Sequence, residues 1–480
     1  MTTAIVVHYT GATRQSRSVV ASLVVDLVDE GHRVIVADIG AFTTINQDFP
    51  PPWLARLLGH RIFPNALEEV VSHAGAEYRH LTPRPGSSGA FPADIVAECE
   101  TAIESELLTY FRRESLEPST PYMRWLRQRL SHQARATYEI LLELFRNEKP
   151  DLVLVPNGRT SRQKVARKAA ESSSARVNFY EMGRARSNSY YRGTTQPHDR
   201  LASQAEVQEL TKHLSPGEIT ALAEGWLSER MSPESGTNQF SSLWKTGAGG
   251  PDLETQGSGK TAVFFSSSAD EFLAFGPMWN IDTWGSQFEA FDLIMTHFES
   301  LGVNLILRLH PNLTTKSRRY FQNAVGEIRA LKRNHPSLTI HWHNSSVSSY
   351  DLITSADYVI AERSTIALEA NLLGTPVWIN QAAQWDLIAD VRQVLSPAEL
   401  TPEVLTPWEV DPRPAQGFVA YWMIQEHPLR FTWRDWATWN PDDASLPLKL
   451  AVLLVKNPWR HRWHLLHLEW ARIRNSFFRS

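Results

Sequence analysis

The N-terminal part of the chain alternates short apolar runs with stretches of helical spacing. Apolar runs cover residues 4–7 and 33–37, and between them apolar residues recur three or four positions apart from 19 to 28. Runs of this length predict buried strands, and the longer spacing predicts the inner face of a helix. Residues 4–37 are therefore expected to form a βαβ unit.

The same alternation continues to about residue 200. An apolar run at 151–155 leads into Pro156-Asn157-Gly158-Arg159 and a basic helical stretch, and another run at 177–180 ends at Glu181. Between 98 and 146, helix formers interrupted by two prolines predict two or more helices. Residues 1–200 are expected to be a complete N-terminal α/β domain.

A second region of the same kind follows a change in composition. Residues 201–260 hold helical pieces and then a Gly- and Ser-rich run, which is typical of a linker. From 261 to 400, apolar runs such as 305–309 and 358–361 again alternate with helical spacing, which ends at Gly374. Such alternation predicts parallel sheets. The expected fold class is α/β, with two Rossmann-type parallel-sheet domains facing each other across a cleft.

Residues 401–480 form a C-terminal segment rich in tryptophan and proline. Its last helix candidate, 459–478, mixes arginine with tryptophan, leucine and phenylalanine. A basic, aromatic amphipathic helix can lie on an anionic membrane surface. The alternative, which the general behaviour of amphipathic helices favours, is that this helix packs back across the first domain.

Composition narrows the class of protein. The net charge of −4 provides no basic field, so nucleic acid is not an expected partner. Cys99 is the only cysteine, which excludes an internal disulfide and a cysteine-built zinc site and fits a reducing compartment. No signal peptide and no apolar run of membrane-spanning length are evident. We expect a cytoplasmic protein, soluble or peripheral to the inner face of the cell membrane.

Polar residues follow two of the predicted strands in the second domain. Arg308 lies within one strand and His310-Pro311-Asn312 follows it, while Ser364 or Thr365 is the expected N-cap of the helix after another strand. Parallel sheets bind ligands at the carboxyl ends of their strands, and free N–H groups at a helix start attract phosphate. An arginine in a buried strand also needs an anionic partner. The combination predicts a phosphate pocket.

Two further features bear on nucleotide binding. The loop of the first βαβ unit has a single glycine, Gly11, and lacks the G-x-G-x-x-G pattern, so a dinucleotide site is not indicated. Glu369 lies one helical turn after Thr365 and is either an acceptor for ribose hydroxyls or a surface glutamate. Both interpretations stay open at this point.

Several motifs in this order resemble the capsule polysaccharide biosynthesis glycosyltransferases, which have a GT-B fold and are related to Kdo transferases and bacterial sialyltransferases. The second domain carries Ser-Ser-x-Asp-Glu-Phe at 267–272, Arg-Leu-His-Pro-Asn at 308–312 and Ser-Thr with Leu-Gly-Thr-Pro-Val at 364–377. In the first domain, Asn157, Arg159 and Glu181 stand in loops that resemble those of the family on the acceptor side.

The resemblance implies roles for several residues. By analogy with the sialyltransferase relatives, His310, Pro311, Ser364 and Thr365 would hold the phosphate of CMP. The family's carboxylate-carboxylate-glycine motif has one match by spelling, Asp29-Glu30-Gly31, but it ends a helix away from the strand ends, where a solvated terminus is expected.

The catalytic base is therefore sought elsewhere. Glu181 follows a strand directly and is the first candidate to take a proton from an acceptor hydroxyl. Asp270 and Glu271, on the facing loop of the second domain, are further candidates that could equally bind substrate or cap the next segment.

The function implied is transfer of a sugar from a nucleotide-sugar donor, CMP-linked as for Kdo or sialic acid, to a glycan or lipid-linked glycan acceptor. No cofactor or metal is indicated. Three alternatives remain: a CDP-glycerol or CDP-ribitol polyol-phosphate transferase, a nucleotide-sugar 2-epimerase of the same fold, and a non-catalytic scaffold in polysaccharide assembly.

Overall fold

The structure is a computed structural model, and it describes residues 1–9, 14–40, 66–82, 92–111, 121–186, 188–232, 259–267, 279, 284–310, 313, 318–343, 345, 347–403, 406 and 408–431. Asp270, Glu271, Pro311 and Asn312 lie outside these residues, as does the helix candidate at 459–478, so the expectations for them are unchanged.

The first sheet has a parallel centre and an antiparallel edge. Its strands among the described residues are β1 (Thr3–Tyr9), β2 (Arg33–Ile39), β3 (Glu77–Leu81), β4 (Leu152–Pro156), β5 (Arg176–Met182), β6 (Ser189–Gly193) and β13 (Glu426–Pro428). They are ordered β3-β2-β1-β4-β5-β6-β13. β1 to β5 pair in parallel, whereas β6 and β13 are antiparallel to their neighbours. The central strands are nearly all apolar because helices cover both of their faces.

The helices of this part are α1 (Arg14–Asp29), α2 (Ala66–His73), α3 (Ala93–Phe111), α4 (Pro121–Glu148) and α5 (Ser161–Glu171). Pro121 opens α4, because a missing N–H does no harm in the first turn of a helix. The expected βαβ unit and the helices between 98 and 146 are thus confirmed.

The second sheet is entirely parallel. Its strands are β7 (Thr261–Phe265), β8 (Asn304–Arg308), β9 (Thr339–His341), β10 (Tyr358–Ala361), β11 (Val377–Ile379) and β12 (Arg392–Gln393). They are ordered β9-β8-β7-β10-β11-β12. The helices that connect them are α8 (Gln287–Ser300), α9 (Arg318–Asn334), α10 (Ser349–Thr354) and α11 (Thr365–Leu372).

Three more of the helices that the structure describes cover one face of the second sheet: α6 (Arg200–Thr211), α7 (Pro216–Met231) and α12 (Arg413–Gln425). Trp226 of α7 and Phe418 of α12 are fully buried in one apolar cluster with Val263 and Val359 of the sheet. The helical part of the expected linker therefore contributes to the core of the second region, where burial of large aromatic side chains stabilises it.

The chain returns to the first sheet after α12. β13 pairs with β6, and Arg430 forms ion pairs with Asp26 at 2.5 Å and with Asp29 at 2.7 Å. The N–H of Phe431 also donates to Ser22 Oγ at 3.3 Å. α12 and β13 thus link the two sheets. Among the described helices, none is long and apolar enough to cross a membrane.

Both sheets have the strand order that creates a ligand crevice. The direction of chain progression reverses between β1 and β4 in the first sheet and between β7 and β10 in the second. Ligands of doubly wound sheets bind outside the carboxyl ends of the strands at such points. The expected α/β fold with two Rossmann-type sheets is confirmed, and the two reversal points are where a ligand site is sought.

Candidate active site

The carboxyl edge of the second sheet begins with two serines that follow β7. The hydroxyl of Ser266 accepts a hydrogen bond from the His310 N–H at 2.9 Å, and the Ser266 N–H donates to the carbonyl of Arg308 at 3.1 Å. Ser266 therefore ties the end of β7 to the end of β8. His310 is brought to the reversal point through its backbone.

A buried carboxylate stands at the same point. The Ser267 hydroxyl donates to Glu362, which follows β10 and is only 2% exposed. Gln287 holds the Ser267 backbone from both sides, because its Oε1 accepts from the Ser267 N–H at 3.0 Å and its Nε2 donates to the Ser267 carbonyl at 3.2 Å. Buried polar groups fixed in this way are pre-organised for a ligand.

Helix α11 starts directly beside this carboxylate. Ser364 is its N-cap, with the hydroxyl accepting from the Ile366 N–H at 3.4 Å, which confirms that one of the two expected residues caps the helix. The Thr365 hydroxyl lies 3.4 Å from Nη2 of Arg230 in α7. Because the helix follows a parallel strand, its N-terminal turn lies at the carboxyl edge of the sheet.

Glu369 is not a surface residue. It is 1% exposed, and its Oε1 accepts from Arg230 Nε at 2.7 Å. The interpretation as a surface glutamate is therefore wrong, because α7 covers this face of α11 and supplies a partner charge. Its binding of ribose hydroxyls stays a prediction.

Arg308 also lies buried at the edge, where its guanidinium donates to the carbonyl of Trp342 and, at 3.4 Å, to that of Ser345. Among the described residues it forms no salt bridge. Burial lowers the pKa of Arg308. The anionic partner that the sequence led us to expect is thus not a side chain of the described part of the protein.

The carboxyl edge of the first sheet brings Asn157 and Glu181 together. Asn157 Nδ2 donates to Glu181 Oε1 at 2.9 Å, and Asn157 Oδ1 accepts from the Arg159 N–H at 3.1 Å. Gly158 has a φ of +77°, and a Cβ there would lie 3.2 Å from the Phe179 ring. Only glycine adopts this turn without strain, and the turn places Asn157 beside the carboxylate.

Two further side chains, Arg184 and His198, also contact Glu181. Nη2 of Arg184 donates to Glu181 Oε2 at 3.1 Å, and His198 Nε2 lies 3.4 Å from the same oxygen. Burial would raise the pKa of Glu181, but His198 and Arg184 outweigh it and hold that pKa well below the usual range. Burial and then Arg184 lower the pKa of His198 to about 4, so this imidazole is neutral at pH 7.

Arg184 connects the edges of the two sheets. Its Nη1 donates to Gln384 Oε1 at 2.7 Å, and Gln384 Nε2 donates to the carbonyl of Pro197 at 2.5 Å. Gln384 belongs to the loop after β11 of the second sheet. A small cavity next to this contact is lined by Glu181, Arg184, Gln384, Tyr191, Tyr421 and Trp422.

Glu426, the first residue of β13, fixes the loop that carries Arg184. It is 7% exposed and accepts from the N–H groups of Arg184, Ala185 at 2.7 Å and Arg186 at 3.0 Å, and from the Ser189 hydroxyl. Three consecutive N–H groups that converge on one carboxylate form an anion nest.

Asp29-Glu30-Gly31 lies away from both reversal points. Asp29 ends α1 and pairs with Arg430, and both Glu30 and Gly31 are exposed. The expected solvated helix terminus is confirmed.

Sequence reasoning placed Ser267 in a motif but gave it no role, and it missed Glu362, Arg184, His198, Gln384 and Glu426. Ser267 and Glu362 follow predicted strands directly, so the strand-end rule could have found them. Arg184 lies only three residues from Glu181, but Gln384 and Glu426 are distant in the chain and reach this loop only through folding. No group of three or more His, Cys, Asp or Glu residues that could hold a metal occurs in the part of the chain that the structure describes.

No protein-family model and no curated protein matches this chain. Two solved structures that are similar to it are Thermosulfurimonas dismutans KpsC β-Kdo 2,4-transferase and β-Kdo 2,7-transferase. The first is 13% identical over 57% of this chain and 80% of its own, with a TM-score of 0.34. The second is 15% identical over 59% and 79%, also with a TM-score of 0.34.

The UDP-GlcNAc 2-epimerase of Methanocaldococcus jannaschii, in complex with UDP-GlcNAc and UDP, is 10% identical over 88% of this chain and 99% of its own, with a TM-score of 0.34. Kdo transferases and nucleotide-sugar 2-epimerases, which the sequence analysis considered, therefore both occur among the similar structures.

Proposed function

We propose that the protein is a glycosyltransferase that moves a sugar from a CMP-linked donor to a growing surface polysaccharide. The observation that carries this proposal is the start of α11 at the reversal point of the second sheet, next to Ser266, His310 and Glu362. A helix N-terminus at this place favours a phosphate-bearing ligand.

In this reaction the second sheet holds the donor. The N-terminal turn of α11 stabilises the negative charge that develops on the leaving phosphate. The Ser364 region and His310 stabilise the same charge. Stabilisation of a leaving group in this way requires no metal ion. In the same proposal, Glu369 accepts hydrogen bonds from the ribose hydroxyls.

The first sheet supplies the base and the acceptor contacts. Glu181 takes the proton of the acceptor hydroxyl, and Asn157 and Arg159 orient the acceptor. While Arg184 contacts Glu181, the low pKa of this carboxylate makes it a weak base. Base catalysis therefore needs Arg184 to leave Glu181, after which burial raises the pKa towards the working range.

The acceptor is proposed to be a capsule or lipopolysaccharide glycan. Such chains are assembled at the inner membrane, where a basic, aromatic helix at 459–478 would keep the enzyme at the cytoplasmic face.

Incubation with CMP-Kdo or CMP-sialic acid and glycan acceptors tests the proposal, with CMP release and the product mass as readouts. We expect acceptor-dependent release that His310→Ala abolishes while the fold is retained. The exposed His213→Ala is the matched control.

Other outcomes would contradict the proposal in distinct ways. Conversion of a UDP-sugar without an acceptor indicates an epimerase, and phosphorus in the product indicates polyol-phosphate transfer. An absence of turnover with every donor indicates a scaffold.

A further inference from the structure

We propose that Arg308, His341 and His343 form an oxyanion-binding subsite for the donor at the carboxyl ends of β8 and β9. The identity of the ligand as a donor group rests on the function proposed above. The existence of an anion site rests on the local structure alone.

The three residues are neighbours through strand pairing. Arg308 of β8 lies opposite His341 of β9 in the parallel ladder, and His343 follows two positions later. Arg308 Nε, His341 Nε2 and His343 Nδ1 are buried atoms that have no hydrogen-bond partner among the described residues. Three such nitrogens at one strand edge are unusual, because buried polar atoms nearly always have partners.

No acidic side chain of the residues that the structure describes neutralises the charge of Arg308. This residue is 5% exposed, and its hydrogen bonds to the carbonyls of Trp342 and Ser345 involve its Nη atoms but not Nε. These hydrogen bonds hold the loop of Trp342 and so give the arginine a structural role, but they provide no negative charge. Buried charges are ordinarily paired, so an anion would complete the site.

The two imidazoles fit this role because they respond to an anion. Burial and then the charge of Arg308 lower the pKa values of His341 and His343, so the neutral form of both rings is favoured at pH 7 when the site is empty. The charged group that faces the two imidazoles from β8 is Arg308. On the other side, the ring of Phe321 in α9 lies 6.1 Å from the ring of His343. A bound anion raises both pKa values, and its binding takes up protons.

The location of the subsite limits the kinds of ligand that it can bind. Ser266 joins the end of β8 to the reversal point, so the subsite adjoins the proposed phosphate pocket. The oxyanion is therefore a phosphate oxygen of the nucleotide or the carboxylate of an acidic sugar linked to it. Guanidinium and imidazolium groups bind both kinds of oxygen.

Isothermal titration with sulfate tests the subsite, because sulfate keeps two charges between pH 6 and 8 and any pH dependence belongs to the protein. We expect binding to tighten as the pH falls, by up to about tenfold per pH unit for each proton taken up. His341→Gln and His343→Gln should each flatten this dependence, whereas His213→Gln should not. Absence of sulfate binding, or a slope that both variants leave unchanged, would overturn the proposal.

Competition identifies the source of the oxyanion. Displacement of sulfate by CMP assigns the subsite to the nucleotide phosphate, and displacement by a free sugar acid assigns it to the sugar carboxylate. If neither competes, the subsite does not belong to the donor. Sulfate binding requires no turnover, so it can be present even if the proposed transfer reaction is absent.

Discussion

At the scale of single residues, the state of Glu181 depends on Arg184. The two side chains are in contact at 3.1 Å, and Arg184 also contacts His198 Nδ1 at 2.7 Å. Burial favours the protonated form of a carboxylic acid, whereas a nearby guanidinium favours the ionised form. Here the effect of burial is outweighed by His198 and the Arg184 guanidinium together, and the pKa of Glu181 is lowered.

Removal of this guanidinium should reverse the balance. In Arg184→Gln, burial remains while the main permanent positive charge is lost, so the pKa of Glu181 should rise. A base must be deprotonated to act, so the acid limb of the pH dependence of kcat/KM should move to higher pH. Arg186→Gln, on the same loop, is the control and should leave the limb in place. An unchanged limb in Arg184→Gln would mean that Glu181 is not the group that titrates.

At the scale of elements, β13 organises the loop between β5 and β6. Glu426 accepts three consecutive N–H groups of this loop, and Gly183 leaves the space for it. The position of Arg184 therefore depends on a strand that is more than two hundred residues away in the chain. The loop and the C-terminal return form one unit.

Gly183→Ala tests this packing. A Cβ at residue 183 would lie 2.0 Å from Ser189 Oγ and 2.7 Å from Glu426 Oε2, so the nest must shift. We expect a loss of about 1–3 kcal/mol in the free energy of unfolding, measured by denaturant titration. Gly225→Ala, in α7 with no atom within 4 Å of the new Cβ, should be neutral or stabilising. Equal stability of wild type and Gly183→Ala would contradict the packing described here.

The elements near the site could be predicted from sequence where the pattern is local. The strand at 358–361, the N-cap at Ser364 and the glycine after α11 each follow from residues within a few positions. Glu369 could not be placed in this way, because its burial depends on Arg230 from α7. β13 was likewise beyond prediction, since three residues at an antiparallel edge carry no periodic signal.

At the scale of the whole molecule, contacts around the start of α6 fix the position of one sheet relative to the other. Arg200 and Asp386 form a buried ion pair at 2.5 Å, and Trp279 Nε1 donates to the carbonyl of His198 at 2.9 Å. These contacts lie beside Gln384, which meets Arg184 from the other sheet. The arrangement of the two reversal points thus depends on a few buried polar contacts. Sequence pattern predicts two α/β regions, but it contains no information on which polar residues meet between them.

Asp386→Ala should therefore be strongly destabilising. Loss of one partner of a buried ion pair costs about 3–5 kcal/mol, because the other charge stays buried. The melting temperature should fall clearly below that of wild type. Asp411→Ala, which removes an exposed partner of Arg413, is the control and should change little. A small effect of Asp386→Ala would show that the pair is solvated in solution.

The most direct test of the proposed function is a thermal-shift comparison of CMP, CDP, UDP, GDP and ADP. A ligand that binds only the native state raises the melting temperature. We predict that CMP gives the largest rise in wild type and that His310→Ala loses it, whereas His213→Ala keeps it. A preference for UDP or CDP, an equal CMP response in His310→Ala, or no response to any nucleotide would contradict a CMP-sugar site at the carboxyl edge of the second sheet.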